Sequence, residues 1–257
     1  MPYFYLYDSY LQDRSYANLL IKLETTLTDL GIAGRVGRLT LLKSVKDLVE
    51  AALREGTDTV VAVGNDITLS QIAQVLAKYP KVALGFVPLG NEHQVLADVL
   101  GIPRGVLACH VLSGRIIAEL PLGKINQQYF IQSVVTQGSP VLECEGSFTL
   151  TFERPHHIRV VNLDDVTGLP GPQVTGSLLT VVVKPLSGRG GIWPFRQASP
   201  STSAGAASVL PLKQLRLVSQ GDELPIIVDG YRTLKTPATI TLAPKTLRFI
   251  VGKKRLV

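Results

Sequence analysis

The sequence predicts an α/β chain in two parts: a doubly wound parallel sheet with helices, followed by an antiparallel, β-sandwich-like domain. Up to about Gly105, short apolar runs alternate with segments of helical apolar spacing, which is typical of a parallel sheet covered on both faces. From Gln128 onward the helical spacing disappears, and short strand patterns follow one another. We therefore predict a boundary near Gly123, with domains at residues 1–123 and 124–257.

The first elements follow from apolar spacing and from capping residues. Tyr3–Tyr7 predicts a strand, and the apolar residues between Tyr16 and Leu30 recur at helical spacing. A second strand is predicted within residues 38–42. Ser44 is in position to cap the next helix, and Gly56 is in position to end it.

The central unit runs from residue 57 to residue 76. Residues 60–63 form an apolar, β-branched run that ends at Gly64 and predicts a buried strand. The apolar residues after it have helical spacing, and Thr68 is the predicted N-cap because Gln71 completes a capping-box pattern. A polar turn between the strand and the helix is where open α/β sheets bind anionic ligands.

The remaining elements are predicted from the same apolar spacing and capping residues. We predict a strand at residues 81–87, a helix that Asn91 caps and that carries residues 95–100, a short helix at 106–112 and a strand at 115–120. The C-terminal strands are predicted at 129–135, 147–152, 157–161, 177–183, 213–218, 225–228, 239–242 and 248–251.

Composition restricts the cellular compartments in which the protein is expected. No apolar run approaches the ~18 residues needed to cross a bilayer, and the N-terminus lacks the basic segment of a signal peptide. The two cysteines, Cys109 and Cys144, are too few for a disulfide framework. We therefore predict a cytoplasmic protein, with peripheral attachment to the inner face of the membrane left open.

The net charge of +6 and the pI near 9.3 favour anionic partners such as phosphate compounds, acidic lipid surfaces or nucleic acid, although solubility alone explains them equally well. Few aromatic residues lie among the basic ones, so there is no clear nucleic-acid signal. His156 and His157 are adjacent in a predicted strand and point to opposite faces, so no metal site is predicted.

Three motifs resemble a known family. The stretch Gly64-Asn65-Asp66-Ile67-Thr68-Leu69 resembles the Gly-Gly-Asp-Gly-Thr-Leu loop of the diacylglycerol kinase and NAD kinase superfamily. Residues 84–90 read Leu-Gly-Phe-Val-Pro-Leu-Gly, which resembles the Leu-Gly-Ile-Leu-Pro-Leu-Gly of the diacylglycerol kinase branch, and residues 100–103 read Leu-Gly-Ile-Pro, as in that branch. Residues 228–230 read Val-Asp-Gly, and a Thr-Pro and a Pro-Lys-Thr-Leu follow in the family's order.

The resemblance implies a lipid kinase that uses ATP and Mg²⁺ to phosphorylate a diacylglycerol-like hydroxyl. It assigns Asp66 and Asp229 as the catalytic residues, although a capping or turn role is open for each. The implied cofactor-binding residues are those at matching motif positions, namely Gly64, Asn65, Asp66, Thr68, Gly90, Asn91 and His93.

Four departures from the family pattern weaken the enzymatic interpretation. Ile67 replaces a glycine and disfavours positive φ, so we expect weak or absent ATP binding. Glu92 adds a negative charge, Pro121 replaces an aspartate, and Tyr231 replaces a glutamate. Two hypotheses follow. The favoured one is a weakly active or non-catalytic member that binds a nucleotide, a lipid headgroup or a protein, and the alternative is an active lipid kinase.

One biased segment, residues 185–211, belongs to neither strand pattern. It contains the single tryptophan, Trp193, with Phe195 close by and Arg189 and Arg196 on either side. Aromatic rings between arginines suit a water–membrane boundary. The alternative is that both rings pack into the β domain and fix the loop.

Overall fold

The structure is a computed structural model that describes residues 2–90, 94–163, 178–186 and 207–256. In the N-terminal half, the strands are β1 (Tyr3–Tyr7), β2 (Arg35–Arg38), β3 (Thr59–Gly64) and β4 (Ala83–Pro88). The helices are α1 (Ala17–Asp29), α2 (Val45–Arg54), α3 (Asp66–Leu76), α4 (Val95–Val99) and α5 (Ala108–Gly114). Among the described residues, no helix is long and apolar enough to cross a membrane.

In the second half, the structure describes strands from Ile117 onward. They are β5 (Ile117–Ile125), β6 (Gln128–Phe130), β7 (Ser133–Gly138), β8 (Val141–Cys144), β9 (Phe148–Leu150), β10 (His156–Val161), β11 (Leu179–Pro185), β12 (Ser208–Leu212), β13 (Gln214–Val218), β14 (Pro225–Val228), β15 (Arg232–Lys235) and β16 (Ala238–Ile250).

The first sheet begins with four parallel strands in the order β2-β1-β3-β4. Strands β1, β3 and β4 are buried along their whole length, because helices supply apolar residues to the sheet. The carboxyl ends of these three strands, at Tyr7, Gly64 and Pro88, meet at one edge of the sheet. The residues that follow them, including Asp8 and Asn65, are therefore brought together there.

Strand β16 carries this sheet into the second half of the chain. Its end pairs with β4 in parallel, its beginning pairs with β13, and most of its length pairs with β5. The sheet then continues through β8 to β9. A second, antiparallel sheet has the order β12-β11-β10-β7-β14-β15. The predicted fold class is confirmed, whereas the domain division at residue 123, which falls inside β5, stays a prediction.

The second strand was placed wrongly by the sequence pattern. It occupies Arg35–Arg38, and residues 40–43 form a turn that a Thr40–Lys43 bridge closes. Leu41 and Leu42 suggested a strand, but both side chains are exposed. The true strand lies at the edge of the sheet and buries only Gly37, so it carries almost no apolar signal.

Strand β16 was predicted as two strands. Ala243, Pro244 and Lys245 interrupt the apolar alternation, but the chain absorbs them as an irregularity between Leu242 and Thr246 and continues pairing with β5. Strands β8, β12 and β15 were not predicted. The segment 185–211, which was predicted to belong to no strand, supplies the last residue of β11 and most of β12, and the prediction for Trp193 lies outside the described residues.

Candidate functional site

The N-terminus of α3 lies directly after the central strand. Asn65 is its N-cap residue, with an extended φ of −116°, and the helix begins at Asp66. The Asn65 Oδ1 atom accepts hydrogen bonds from the backbone N–H groups of Ile67 at 3.0 Å and Thr68 at 3.2 Å. A phosphate at a helix N-terminus would bind such unpaired amides. Here a side chain of the protein already occupies two of them.

Two predictions for this turn are wrong. Thr68 is not the N-cap, because the helix starts earlier in the chain. The buried Thr68 hydroxyl donates to the side chains of Asp8 and Asn65. Ile67 is not a loop residue that must adopt positive φ. It lies in the first turn of α3, so its β-branched side chain causes no strain there.

Asp8 is a site residue that the sequence analysis missed. It follows β1 at the same sheet edge, and its backbone N–H donates to the Val63 carbonyl at 3.0 Å. Its Oδ2 atom accepts the hydroxyl hydrogen bond of Thr68. The available signal was its position, since it is the first residue after a strand of the predicted parallel sheet. Asp8 places a carboxylate beside the α3 N-terminus.

Gly64 lies where β1, β3 and the first turn of α3 meet, and it has no side chain to separate them. A Cβ atom on Gly64 would stand 2.7 Å from the Thr68 Oγ1 atom and 3.0 Å from the Asp8 Cβ atom. The glycine therefore allows the ends of β1 and β3 to approach the first turn of α3. Whether it also contacts a ligand stays a prediction.

Asp66 is a buried carboxyl group with only 3% of its surface exposed. Its Oδ2 atom accepts the Leu96 N–H at 3.2 Å, while Oδ1 has no partner among the described residues. The pKa of Asp66 is raised to about 7, mainly by burial and to a smaller extent by the carboxyl groups of Asp98 and Asp229, while backbone donors in α4 oppose the rise. The buried Ser70 Oγ and Gln94 Oε1 atoms are also without a described partner.

Asp229 lies in the turn between β14 and β15, with φ of 48°. Asp-Gly suits such a turn, because both residues tolerate left-handed backbone. The Asp229 Oδ1 atom accepts the N–H groups of Gln132 at 2.9 Å and Ser133 at 3.1 Å, and Oδ2 accepts that of Ile131 at 3.1 Å. The carboxylate thus fixes the hairpin turn to the start of β7.

Arg232 joins the two halves of the protein behind that turn. Its Nη1 atom donates to Gln74 of α3 at 2.8 Å and to Gln128 at 2.9 Å, and Nη2 donates to the Tyr129 carbonyl at 2.7 Å. Nη2 is also 3.9 Å from Asp229 Oδ2. Burial raises the pKa of Asp229, and the backbone donors and Arg232 oppose that rise.

The second polar turn is described only at its ends. Gly90 packs against Tyr10, whose hydroxyl donates to the Leu89 carbonyl at 2.7 Å, and the Gly90 carbonyl accepts from Gln94 Nε2 at 2.5 Å. Helix α4 begins after Gln94, so the predicted Asn91 cap is wrong. The predicted binding roles of Asn91 and His93 lie outside the described residues, as does Glu92.

An open cleft of about 1170 Å³ runs along α3. The turn at residues 40–43, the start of α2 and residues near Tyr129 and Tyr231 complete its walls. Its apolar lining consists of Leu39, Leu41, Leu42, Val45 and Val75, and its charged lining consists of Lys43, Lys46, Lys78 and Glu50. The cleft therefore combines apolar and mostly basic surface. Its lining does not include Gly64, Asn65, Asp66 or Asp229.

Pro121 and the histidine pair add no ligands to this region. The Pro121 carbonyl accepts from Asn162 Nδ2 at 3.0 Å within β5, and burial lowers the pKa of His157. Across residues 2–90, 94–163, 178–186 and 207–256, no group of three or more His, Cys, Asp or Glu side chains is arranged to hold a metal ion.

Sequence comparison now places the N-terminal half. Residues 11–125 match the family described as the diacylglycerol kinase catalytic domain. A diacylglycerol kinase from Staphylococcus haemolyticus (strain JCSC1435) is 30% identical over 115 residues. That alignment covers 44% of this chain and 32% of the relative, so it spans about a third of the relative's length.

Structural comparison extends over the whole chain. A diacylglycerol kinase from Bacillus anthracis str. Sterne superimposes with a TM-score of 0.72 at 16% identity, covering 98% of this chain and 97% of that chain. An NAD kinase from Archaeoglobus fulgidus, solved in complex with ATP, gives a TM-score of 0.61 at 14% identity, covering 99% and 95%. Residues 11–125 are therefore similar to the diacylglycerol kinase catalytic domain, and the whole chain has the fold that these diacylglycerol kinases and NAD kinases share.

Two glycines of the superfamily motif Gly-Gly-Asp-Gly-Thr-Leu are replaced in this chain. The first replacement, and not the second, changes the N-terminus of α3. Asn65 stands at the second glycine and fills the helix N-terminus with its own amide oxygen. Ile67 stands at the third glycine but lies on helix α3. The superfamily position of Asp66 is retained, and its carboxyl group is buried without a partner for Oδ1 among the described residues.

The raised pKa of Asp66 gives a testable pH dependence. Its pKa is about 7 in the folded protein and about 3.8 in the unfolded chain, so the folded state binds more protons between these values. Stability from this group is therefore lost as the pH rises from about 4 to 7. Asp66→Asn is expected to remove this slope and to raise unfolding free energy above pH 7 by about 1–2 kcal/mol, since an amide is still buried there.

Urea unfolding at several pH values between 4 and 8 measures this effect. The exposed Asp29, at the end of α1, provides a matched control. Asp29→Asn should leave the slope as it is in the unmodified protein. An Asp66→Asn protein that keeps the same slope would contradict the assignment.

Proposed function

We propose that this protein is a non-catalytic member of the diacylglycerol kinase and NAD kinase superfamily, and that it binds an anionic lipid in the cleft along α3 without transferring phosphate. One observation carries the proposal: Asn65 Oδ1 accepts the N–H groups of Ile67 and Thr68. A nucleotide triphosphate that approached this turn would meet an amide oxygen in place of free amides.

Electrostatics support the first part of the proposal. Phosphoryl transfer needs donors and positive charge around the transferred group. At the end of β1, the Asp8 carboxyl group accepts the Thr68 hydroxyl and lies beside the start of α3, where its charge opposes the approach of phosphate. The residues present therefore do not fit ATP with its metal at this turn.

Asp229 supports the same interpretation. Three backbone N–H groups donate to its carboxylate, and the Arg232 Nη2 atom lies 3.9 Å from its Oδ2 atom. A general base must accept a proton from its substrate through a free lone pair within hydrogen-bond reach. Asp229 instead uses three of its about four acceptor positions to hold the β14–β15 turn in place, and its side chain is fully buried.

The cleft supports the second part of the proposal. Binding sites for small amphiphiles are concave and mostly apolar, with a few charged groups that fix orientation. The apolar walls of this cleft suit acyl chains, and Lys46 and Lys78 suit a phosphate-bearing headgroup. The resemblance to diacylglycerol kinases also favours a lipid of the glycerolipid class.

Two measurements on the full chain test the proposal. Incubation with Mg-ATP and dioctanoylglycerol is expected to transfer no phosphate above background, and calorimetry is expected to detect binding of dioctanoyl phosphatidic acid. Lys78→Glu should weaken that binding about tenfold by reversing a charge in the cleft, whereas Lys22→Glu on α1 should not. Measurable phosphoryl transfer, or equal effects of both substitutions, would contradict the proposal.

The alternative function is an active lipid kinase, and one observation favours it. The buried Asp66 has a free Oδ1 among the described residues and a pKa of about 7, which suits a general base near neutral pH. If the assay detects turnover, Asp66→Asn should abolish it while leaving the protein folded.

A further inference from the structure

The turn at residues 40–43 carries two leucines at its tip. Lys43 N–H donates to the Thr40 carbonyl at 3.3 Å, and the relative exposures of Leu41 and Leu42 are 107% and 95%. The base of the turn is anchored, because Leu39 N–H donates to the Tyr7 carbonyl and the Leu39 carbonyl accepts from Gln12. The leucines are thus presented to solvent from a fixed position.

Positive charge surrounds this tip. Lys43 lies within the turn, Lys46 lies in the first turn of α2, and Lys78 follows α3 across the cleft, all with exposed side chains. Two carboxylates face the same region. Asp47 is engaged by the Ser44 hydroxyl at 2.6 Å as part of the α2 cap, and Glu50 lies farther along that helix.

We infer that the Leu41–Leu42 turn docks this protein on an anionic phospholipid bilayer. The leucines enter the headgroup and acyl boundary, and Lys43 and Lys46 meet lipid phosphates, the arrangement by which amphipathic elements hold a membrane surface. Docking deepens the proposed function and partly rests on it, because these residues line the cleft in which we place the lipid.

The shape of the feature favours a bilayer over a protein partner. A stable protein interface needs about 800 Å² of complementary surface on each partner. Leu41 and Leu42 form a small exposed protrusion at the rim of the cleft, flanked by lysines, and not a broad flat face. A fluid and negatively charged lipid surface accepts an apolar protrusion without a matching pocket, and it complements the lysines.

Vesicle cosedimentation of the full chain tests the inference. Vesicles of phosphatidylcholine with about 30% phosphatidylglycerol provide the anionic surface, and pure phosphatidylcholine vesicles provide the neutral one. We expect binding to the anionic vesicles, weaker binding at high salt, and at least a ~10-fold loss of partitioning for Leu41→Ser with Leu42→Ser. Lys43→Glu with Lys46→Glu should remove the preference for anionic vesicles.

The matched control replaces two other exposed apolar residues, Ile21 on α1 and Leu107 before α5, with serine. It should bind vesicles like the unmodified protein. Equal losses in the control and the Leu41/Leu42 variant would overturn the inference, as would unchanged binding of the latter. Sedimentation without vesicles should give the same mass for the unmodified protein and the Leu41/Leu42 variant. A lower mass for the variant would mean that the turn holds two copies of the chain together, which would overturn the inference.

The same probes separate this inference from the proposed function. Phosphatidylglycerol vesicles report docking, whereas monomeric dioctanoyl phosphatidic acid reports the cleft. Vesicle binding that depends on the leucines without binding of the short-chain lipid would leave docking standing and refute the proposed lipid site. The reverse result would refute docking alone.

Discussion

Asp229→Ala is expected to lower the free energy of unfolding by about 3–5 kcal/mol, because it removes a buried, paired carboxylate. The N–H groups of Ile131, Gln132 and Ser133 would lose their acceptor, and the partly buried Arg232 would lose its neighbouring carboxylate. The turn between β14 and β15 would also lose its attachment to β7. Chemical denaturation of both proteins measures this difference.

An exposed aspartate close in sequence supplies the control. Asp222 precedes β14 and its side chain is exposed, so Asp222→Ala should change stability by no more than about 0.5 kcal/mol. Asp229→Asn should have an intermediate effect, because one of its two terminal atoms still accepts hydrogen bonds. A stable Asp229→Ala protein would mean that the carboxylate is not structural and would reopen its candidacy as a catalytic base.

Opening the α3 N-terminus is expected to create nucleotide affinity. In the double variant Asn65→Gly with Asp8→Asn, the N–H groups of Ile67 and Thr68 lose their internal acceptor, and one carboxylate beside them becomes neutral. We expect Mg-ATP binding at least ~10-fold tighter than in the unmodified protein, since each freed amide adds a hydrogen bond to an anion. Isothermal titration calorimetry measures the change.

Both substitutions are mild for the fold. Glycine at an N-cap costs only a few tenths of a kcal/mol relative to asparagine, and asparagine at position 8 still accepts the Thr68 hydroxyl. The informative control is Ile67→Gly, which should leave affinity unchanged and cost about 1 kcal/mol of stability because Ile67 is helical. Tighter binding by Ile67→Gly would restore the steric explanation that the sequence suggested.

Much of this fold is predictable because buried elements show a recognisable pattern of apolar residues in the sequence. Strands β1, β3 and β4 are buried throughout and read as continuous apolar runs, and Ser44 caps α2 as its position indicates. The predictions fail where an element buries too few side chains to produce an apolar pattern. The edge strand β2 buries one glycine, and the two leucines after it belong to an exposed turn.

The site was harder to predict because its decisive contacts are between side chains that are distant in sequence. Asp8 and Thr68 are 60 residues apart, and Asp229 meets its three amide donors across 96 to 98 residues. Motif positions identified Asp66 and Asp229 as the retained acidic residues but did not show what each contacts. The Asn65 cap was within reach of sequence reasoning, since Asn is a favoured N-cap residue, but Thr68 competed for the same role.

Calorimetric titration of Mg-ATP into the unmodified protein tests the central claim most directly, because the claim is that Asn65 and Asp8 close the phosphate-binding turn. We predict no saturable heat, or a dissociation constant weaker than about 1 mM, which corresponds to roughly 4 kcal/mol of binding free energy. The Asn65→Gly, Asp8→Asn protein titrated beside it should bind measurably. Submicromolar Mg-ATP affinity in the unmodified protein would contradict the account, since it would show that the triphosphate binds with the Asn65 cap in place.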